Sequence, residues 1–406
     1  MFSERLKDIV SASDKVNEEN AVGQDEVLSL LEKSVNGGNL DLEEMIALMA
    51  GTYREKNRKL ILDFSRNYER PHDREILLLP PLYFSSICEN NCLYCDFSSN
   101  GHRLTLGDFS NEFNSLVGLG YRSIELVSAQ DPDMYIHDAS YDSDNNQVFH
   151  INEVLKYFEI AGRTLSENGG GMLTSNIPPV DVQSLEKLKS GGLDCFLLWL
   201  ETFNPEKYRK LHYQKGPKAN QAFRVDSFEN AHMAGIEHFA GAFLKGLHDW
   251  RKEEIVLYFL DRYLKEKAGH GFSIIGTPRL KGAFARSDLV RKNIVSDGDY
   301  ELNIALDRIL FDGILWLQTR ESFETNRYLI NQYGGGVILT LSSSTAPGGY
   351  FAPAKARAQF PVFKQDLDAS VSVLESNGYM IHFDWNSKVL SSFQRKSGDG
   401  FDGKLQ

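Results

Sequence analysis

The chain has 406 residues, 42% of them apolar and 25% charged, a composition that excludes disordered, collagenous and disulfide-framework proteins. At ~100–200 residues per domain it accommodates two to four small domains or one large barrel with attachments. Its 44 Lys and Arg face 56 Asp and Glu, a net charge of −12, which disfavours nucleic acid as a main ligand because phosphate binding needs a basic surface. The start, MFSERLKDIVSASDKVNEEN, has no apolar core of a leader, and no run of about 18 apolar residues occurs, so no membrane contact and a cytoplasmic location are expected.

Residues 1–72 are expected to form a helical extension. In LDLEEMIALMA, Leu42, Met45, Ile46 and Met49 recur at helical spacing, with Asp41 as N-cap and Glu43 and Glu44 in the first turn. After Pro71-His72-Asp73, short apolar runs occur at 76–79, 123–127, 172–175, 195–200, 239–244, 272–275, 314–317 and 337–341. Amphipathic segments at 152–165, 181–190, 222–234, 253–266, 299–311 and 322–333 separate them. Eight apolar strands alternating with helices predict an α/β fold, a (βα)8 TIM-like barrel over 73–350. A doubly wound sheet is the runner-up, but no G-x-G-x-x-G follows the first strand. The stretch AQDPDMYIHDASYDSDNN, long, acidic and aromatic, suits a lid. The loop 342–350 would lie at the same barrel face, and 351–406 is expected to pack on the barrel, with one helix at 366–377 and a frayed Gly-rich end.

Three of the four cysteines, Cys88, Cys92 and Cys95, fall within eight positions of SSICENNCLYCDF, a C-x3-C-x2-C pattern after the first strand. Clustered thiols in a reducing compartment point to metal or redox chemistry. Three thiolates on one loop suit an iron–sulfur cubane whose fourth iron stays open. A structural zinc would want a fourth ligand, and His102 offers an unusual spacing for it. The lone Cys195 in LDCFLLWL reads as a small core hydrophobe.

The motif, with Tyr94 before its third cysteine, resembles the radical S-adenosylmethionine (SAM) superfamily. The blocks WLETFNPEKYRKLH, FRVDSFENAHMAGI, GAFLKGLHDW, PRLKGAF, QTRESFETNR and TAPGGY follow in order, and the series is similar to the aromatic amino acid lyases of that superfamily, the 2-iminoacetate synthase type included. The resemblance implies a [4Fe-4S] cluster on Cys88, Cys92 and Cys95, whose open iron chelates SAM. It implies Tyr94 against the adenine, Glu201 and Arg224 on SAM, Gln130 at the position that receives the SAM amino group, and Arg320 with Ser343 on the substrate carboxylate. A guanidinium offers a planar fork to a carboxylate, and Arg320 follows the 314–317 strand, at the barrel mouth.

Two departures bear on the substrate. Ser128-Ala129-Gln130 stands where a Gly-Glu motif is usual, and Leu200 replaces a glutamine usual in the tyrosine lyases; Trp199 and Phe203 also change the pattern there. The expected absence of a cysteine-bearing extension argues against carbon monoxide and cyanide production. The leading expectation is an enzyme, a carbon–carbon lyase converting tyrosine to 2-iminoacetate and p-cresol. Its implied partners are the amino acid, a flavodoxin- or ferredoxin-type reductant and a thiazole synthase-like protein of thiamine biosynthesis. The alternatives are a tryptophan lyase or other amino acid fragmentation, and a non-enzymatic iron–sulfur or zinc protein.

Overall fold

Strands buried on both faces must be apolar throughout, and the runs picked out by composition become the staves of a curled parallel sheet. The computed structural model describes residues 1–90, 92–138, 148–212, 217–363 and 365–394. In chain order its strands are β1 (Glu75–Leu78), β2 (Pro81–Ser85), β3 (Ser123–Ser128), β4 (Tyr135–Asp138), β5 (Val148–Ile151), β6 (Met172–Asn176), β7 (Leu193–Glu201), β8 (His238–Phe243), β9 (Ile274–Gly276), β10 (Ile314–Leu317), β11 (Val337–Leu339) and β12 (Met380–His382). Ten of them form one parallel sheet, ordered β12-β1-β11-β10-β9-β8-β7-β6-β3-β2, and β4 and β5 pair antiparallel on their own. This is a TIM-like fold, in which helices such as Gln221–Met233, Trp250–Ala268 and Asp297–Leu310 return the chain between strands.

The 76–79 run is one strand, β1, and a second strand outside it, β2, follows at once. Ile76–Leu78 pair with β11, and after Leu79 and Pro80 the chain enters β2, which pairs with β3 from Pro81 onward. Proline lacks the amide that a ladder needs, which is why β2 stands at an edge of the sheet. The cysteine loop therefore leaves β2, not the 76–79 run. The helix Leu367–Ser376 matches the one expected in the tail; beyond it, β12 pairs with β1 and a second helix, Ser387–Phe393, was not expected.

The barrel is filled in layers. Leu77, Met172, Cys195, Ile274, Ile314 and Ile338 pack inside, and Trp385, Leu390 and Phe393 close the end opposite the loops. The Trp385 indole donates to the Leu78 carbonyl (2.7 Å), and its own carbonyl accepts from Ser123 Oγ (2.6 Å). Cys195 is fully buried, as a core residue should be.

Four helices lie between Ser3 and Asn67. Asp41 caps the third in a capping box with Glu44. These helices share one apolar cluster with the barrel helices. Leu40 N–H donates to Tyr258 Oη (2.9 Å), and Arg58 pairs with Asp299 (2.7 Å). No described helix is long and apolar enough to cross a membrane.

Candidate active site

At the loop end of the barrel, two adjoining cavities of about 590 and 670 Å³ share Cys95, Asn176, Trp199, Glu201 and Gln359 as walls. All three motif cysteines line the smaller cavity, with Asn90, Gln130, Lys218 and Arg224.

The cysteine loop is held from three sides. Cys88 N–H donates to Ser98 O (3.0 Å), Leu93 N–H to Leu211 O (3.1 Å) and Asp96 N–H to Gln359 O (3.0 Å). Burial raises the Cys92 thiol and pushes Cys95 up to about 12. Such thiols ionise only when a cation replaces the proton. Among the described residues no three His, Cys, Asp or Glu side chains are placed to hold a single ion. A cubane asks something else, one thiolate for each of three irons around a cavity.

The neighbours fit such a group. Both side-chain polar atoms of Asn90 and the Gln130 Oε1 are buried with no hydrogen-bond partner among the described residues, a costly state unless a ligand supplies one. Gln130 is aimed by its amide, which donates to Glu89 Oε1 (2.6 Å). So the carbonyl that the sequence marked as an acceptor is the free end.

Glu201 closes the opposite wall. Register slips between Trp199 and Glu201, and Glu201 takes φ +66°, a left-handed conformation costly for a residue with a Cβ. Burial alone would raise its carboxyl, but Lys218 Nζ at 2.7 Å and Arg224 at 3.6 Å hold it at about 2. Arg224 Nε also donates to the Trp199 carbonyl (2.8 Å). Tyr94 Oη lies 2.5 Å from His212 Nε2. The His212 Nδ1 faces the Tyr208 carbonyl at 2.7 Å, and burial lowers the ring's pKa to about 3. The neutral ring thus donates from Nδ1 and accepts the Tyr94 hydroxyl at Nε2.

The larger cavity is built differently. Arg320 lines it and has no hydrogen bond or ion pair with any described residue; its guanidinium carbon sits 3.5 Å from the Phe360 ring centroid. Desolvation lowers its pKa, the mark of a charge without an anion. Thr319 lines the same cavity and meets Ser343 at 3.1 Å between hydroxyl oxygens. Ser343 itself lies in a neighbouring groove, one hydroxyl removed from where it was expected. Below, Trp199 and Trp316 pack with ring centroids 5.6 Å apart, and Glu125 is buried beside Asn176.

The structure thus gathers Cys88, Cys92, Cys95, Gln130, Glu201 and Arg224 around one space, and Tyr94 and Arg320 around the other. Sequence reasoning missed Lys218, His212, Glu125 and Gln359. Gln359 accepts from Tyr83 Oη (2.9 Å) and turns its amide toward Cys95 Sγ (3.7 Å). It belongs to a segment beyond residue 350 that crosses the barrel mouth. Only Glu125 had a usable signal, a carboxylate in the middle of an apolar strand, SIELV. The expected lid, 129–146, contains β4; its part beyond β4 falls in 139–147, outside the described residues, and β5 follows.

Residues 82–259 match the family model of the Radical SAM superfamily. The 2-iminoacetate synthase of Salmonella typhimurium is 25% identical over 374 residues, covering 88% of this chain and 90% of that protein. A 3-methylornithine synthase of Methanosarcina barkeri is also 25% identical, over 46% of this chain and 50% of its own length. Among solved structures, the FeFe-hydrogenase maturase HydG from Carboxydothermus hydrogenoformans superposes with a TM-score of 0.76 and 28% identity, covering 97% of this chain and 86% of that one. With three cysteines on the loop after a barrel strand and orphaned acceptors beside them, residues 82–259 carry a radical SAM domain, and the chain is an enzyme related to 2-iminoacetate synthase.

Proposed function

We propose that the enzyme cleaves the Cα–Cβ bond of an aromatic amino acid, tyrosine in the first instance, releasing 2-iminoacetate and p-cresol. One observation carries the reading: an unpaired guanidinium, Arg320, in a cavity that shares walls with the cysteine cavity. A half-buried cation in a cavity without an anion is a binding site for one, and a carboxylate matches its fork.

In this reading Cys88, Cys92 and Cys95 hold a [4Fe-4S] cluster, and Gln130 Oε1, Glu201 and Arg224 hold SAM beside it, with Tyr94 against the adenine. When bound, these cofactors supply a primary radical that abstracts hydrogen from whatever lies nearest. The protein's task is then positioning. Arg320, supported by Thr319 and through it Ser343, fixes the substrate carboxylate at the mouth. The side chain descends toward Trp199 and Trp316, and the amine faces the shared wall at Cys95 and Gln359. Phe360 and Gln359 cover the mouth and exclude water. A flavodoxin- or ferredoxin-type reductant and a thiazole synthase-like partner in the cytoplasm would follow from the relationship to 2-iminoacetate synthase.

The test is anaerobic reconstitution with iron and sulfide, then incubation with SAM, reductant and tyrosine. Tyrosine-dependent 5′-deoxyadenosine with p-cresol is expected. An indole acid from tryptophan, with tyrosine inert, would move the assignment to a tryptophan lyase, and SAM cleavage that consumes neither amino acid would remove the lyase reading.

A further inference from the structure

We infer that Glu125, braced by Asn176 on the floor of the larger cavity, receives a hydroxyl at the far end of the substrate's aromatic ring. The inference rests on the amino acid reading above and names the group that would select among aromatic amino acids.

Glu125 sits in mid-strand of β3 with its side chain turned into the barrel, and it is 4% exposed. Asn176 Nδ2 donates to its Oε1 at 2.8 Å. Its Oε2 has no hydrogen-bond partner among the described residues, while the residue lines the cavity. That oxygen opens onto the cavity, where a ligand hydroxyl can reach it and form the hydrogen bond that no described residue makes.

Two other polar groups of the floor are already engaged. Trp316 Nε1 donates to Thr340 Oγ1 (2.8 Å), and Thr340 Oγ1 donates to the Leu79 carbonyl (2.9 Å). Pro81 and the two tryptophans supply flat apolar walls. Among the described residues, the Glu125 carboxyl remains facing the space, with Asn176 and the Trp199 indole beside it.

Its protonation narrows the ligand. Burial pushes the Glu125 carboxyl up to about 8, so at neutral pH it is mostly the neutral acid, which both donates and accepts. A phenol does the same and pairs with it in either sense. A phenyl ring leaves the carboxyl unsatisfied, an indole N–H only donates, and an ammonium would force charge into an apolar site.

The test measures binding of L-tyrosine, L-phenylalanine, L-tryptophan and L-lysine to the reconstituted holoenzyme with SAM and no reductant, so that no turnover occurs. The native enzyme should bind tyrosine at least tenfold more tightly than phenylalanine, the range a lost buried hydrogen bond gives. Glu125→Leu should weaken tyrosine to the level of phenylalanine and leave phenylalanine unchanged or tighter. Glu125→Gln, which keeps a donor and an acceptor in the same volume, should retain the preference within a few fold. Equal affinities for tyrosine and phenylalanine in the native enzyme would overturn this assignment alone. So would an unchanged ratio in Glu125→Leu, or tighter binding of tryptophan or lysine than of tyrosine. Binding of none of the four would overturn the amino acid reading with it.

Discussion

Replacing Arg320 by methionine separates a binding role from a structural one, because the two predict opposite effects on stability. In the free protein the guanidinium has no anionic or hydrogen-bonding partner among the described residues, only the Phe360 ring at 3.5 Å. Its desolvation is an uncompensated cost of folding, partly offset by a cation–π contact worth up to ~2 kcal/mol. Methionine keeps the packing of the stem and removes the charge. Folding stability should therefore hold or rise, by about 1 kcal/mol at most. Amino acid binding should suffer. A bidentate pair gives two charge-assisted hydrogen bonds at ~1.5–3 kcal/mol each, and allowing for water that re-enters, a net loss of about 3 kcal/mol corresponds to roughly a hundredfold weaker binding. Arg320→Lys, retaining the charge without the fork, should lose about tenfold. Calorimetric titration of tyrosine and urea unfolding of the same preparations measure both quantities, with SAM affinity as the control. A methionine variant destabilised by more than about 2 kcal/mol that binds tyrosine normally would make Arg320 a structural residue and refute the reasoning.

Further perturbations test the frame around the site. Lys245 is fully buried, 3.6 Å from Asp307, with Glu254 in the same cluster; Lys245→Met orphans a buried acid and should cost about 3–5 kcal/mol, a loss that shrinks at low pH as Asp307 takes a proton. Trp385→Ala opens the closed end of the barrel and frees the Leu78 carbonyl, and should lower stability by about 3–5 kcal/mol in urea unfolding without changing the cysteine cavity. Glu75 accepts from His72 and His382 at 2.7 Å each, and the His72 bond above all keeps its carboxyl below the usual value. That support is present above the unfolded carboxylate range and is lost as pH falls through the lowered value, so Glu75→Gln should flatten the acid limb of stability, measured as the urea midpoint between about pH 3 and 6. Serine at Cys88, Cys92 or Cys95 should abolish retention of iron and sulfide after reconstitution, whereas serine at Cys195 should leave both in place and affect stability alone.

What could be read from the chain followed from local signals. Cysteine spacing marks a cluster without any tertiary knowledge, and Asp41 with Glu44 announces its own helix start. Arg320 was legible because it follows an apolar strand whose end must face the barrel mouth. By contrast, Pro80-Pro81 concealed that the chain passes from one strand directly into another. Glu125 left a signal, a carboxylate within SIELV, but a strand's period of two lets one polar residue face inward without disturbing the apolar average that marks the strand. Gln359 and Phe360 lie in a segment with no periodicity, and only the fold brings them over the mouth. His212 and Lys218 face Tyr94 and Glu201 by geometry alone.

The most direct test of the central claim, that one cavity presents an amino acid's amine to the chemistry of the other, is turnover in heavy water. A tyrosine amine exchanges with solvent, so hydrogen taken from it should appear as a single deuterium in the 5′-deoxyadenosine, together with an equivalent of p-cresol. Unlabelled 5′-deoxyadenosine, formed at the same rate with or without tyrosine, would contradict the account.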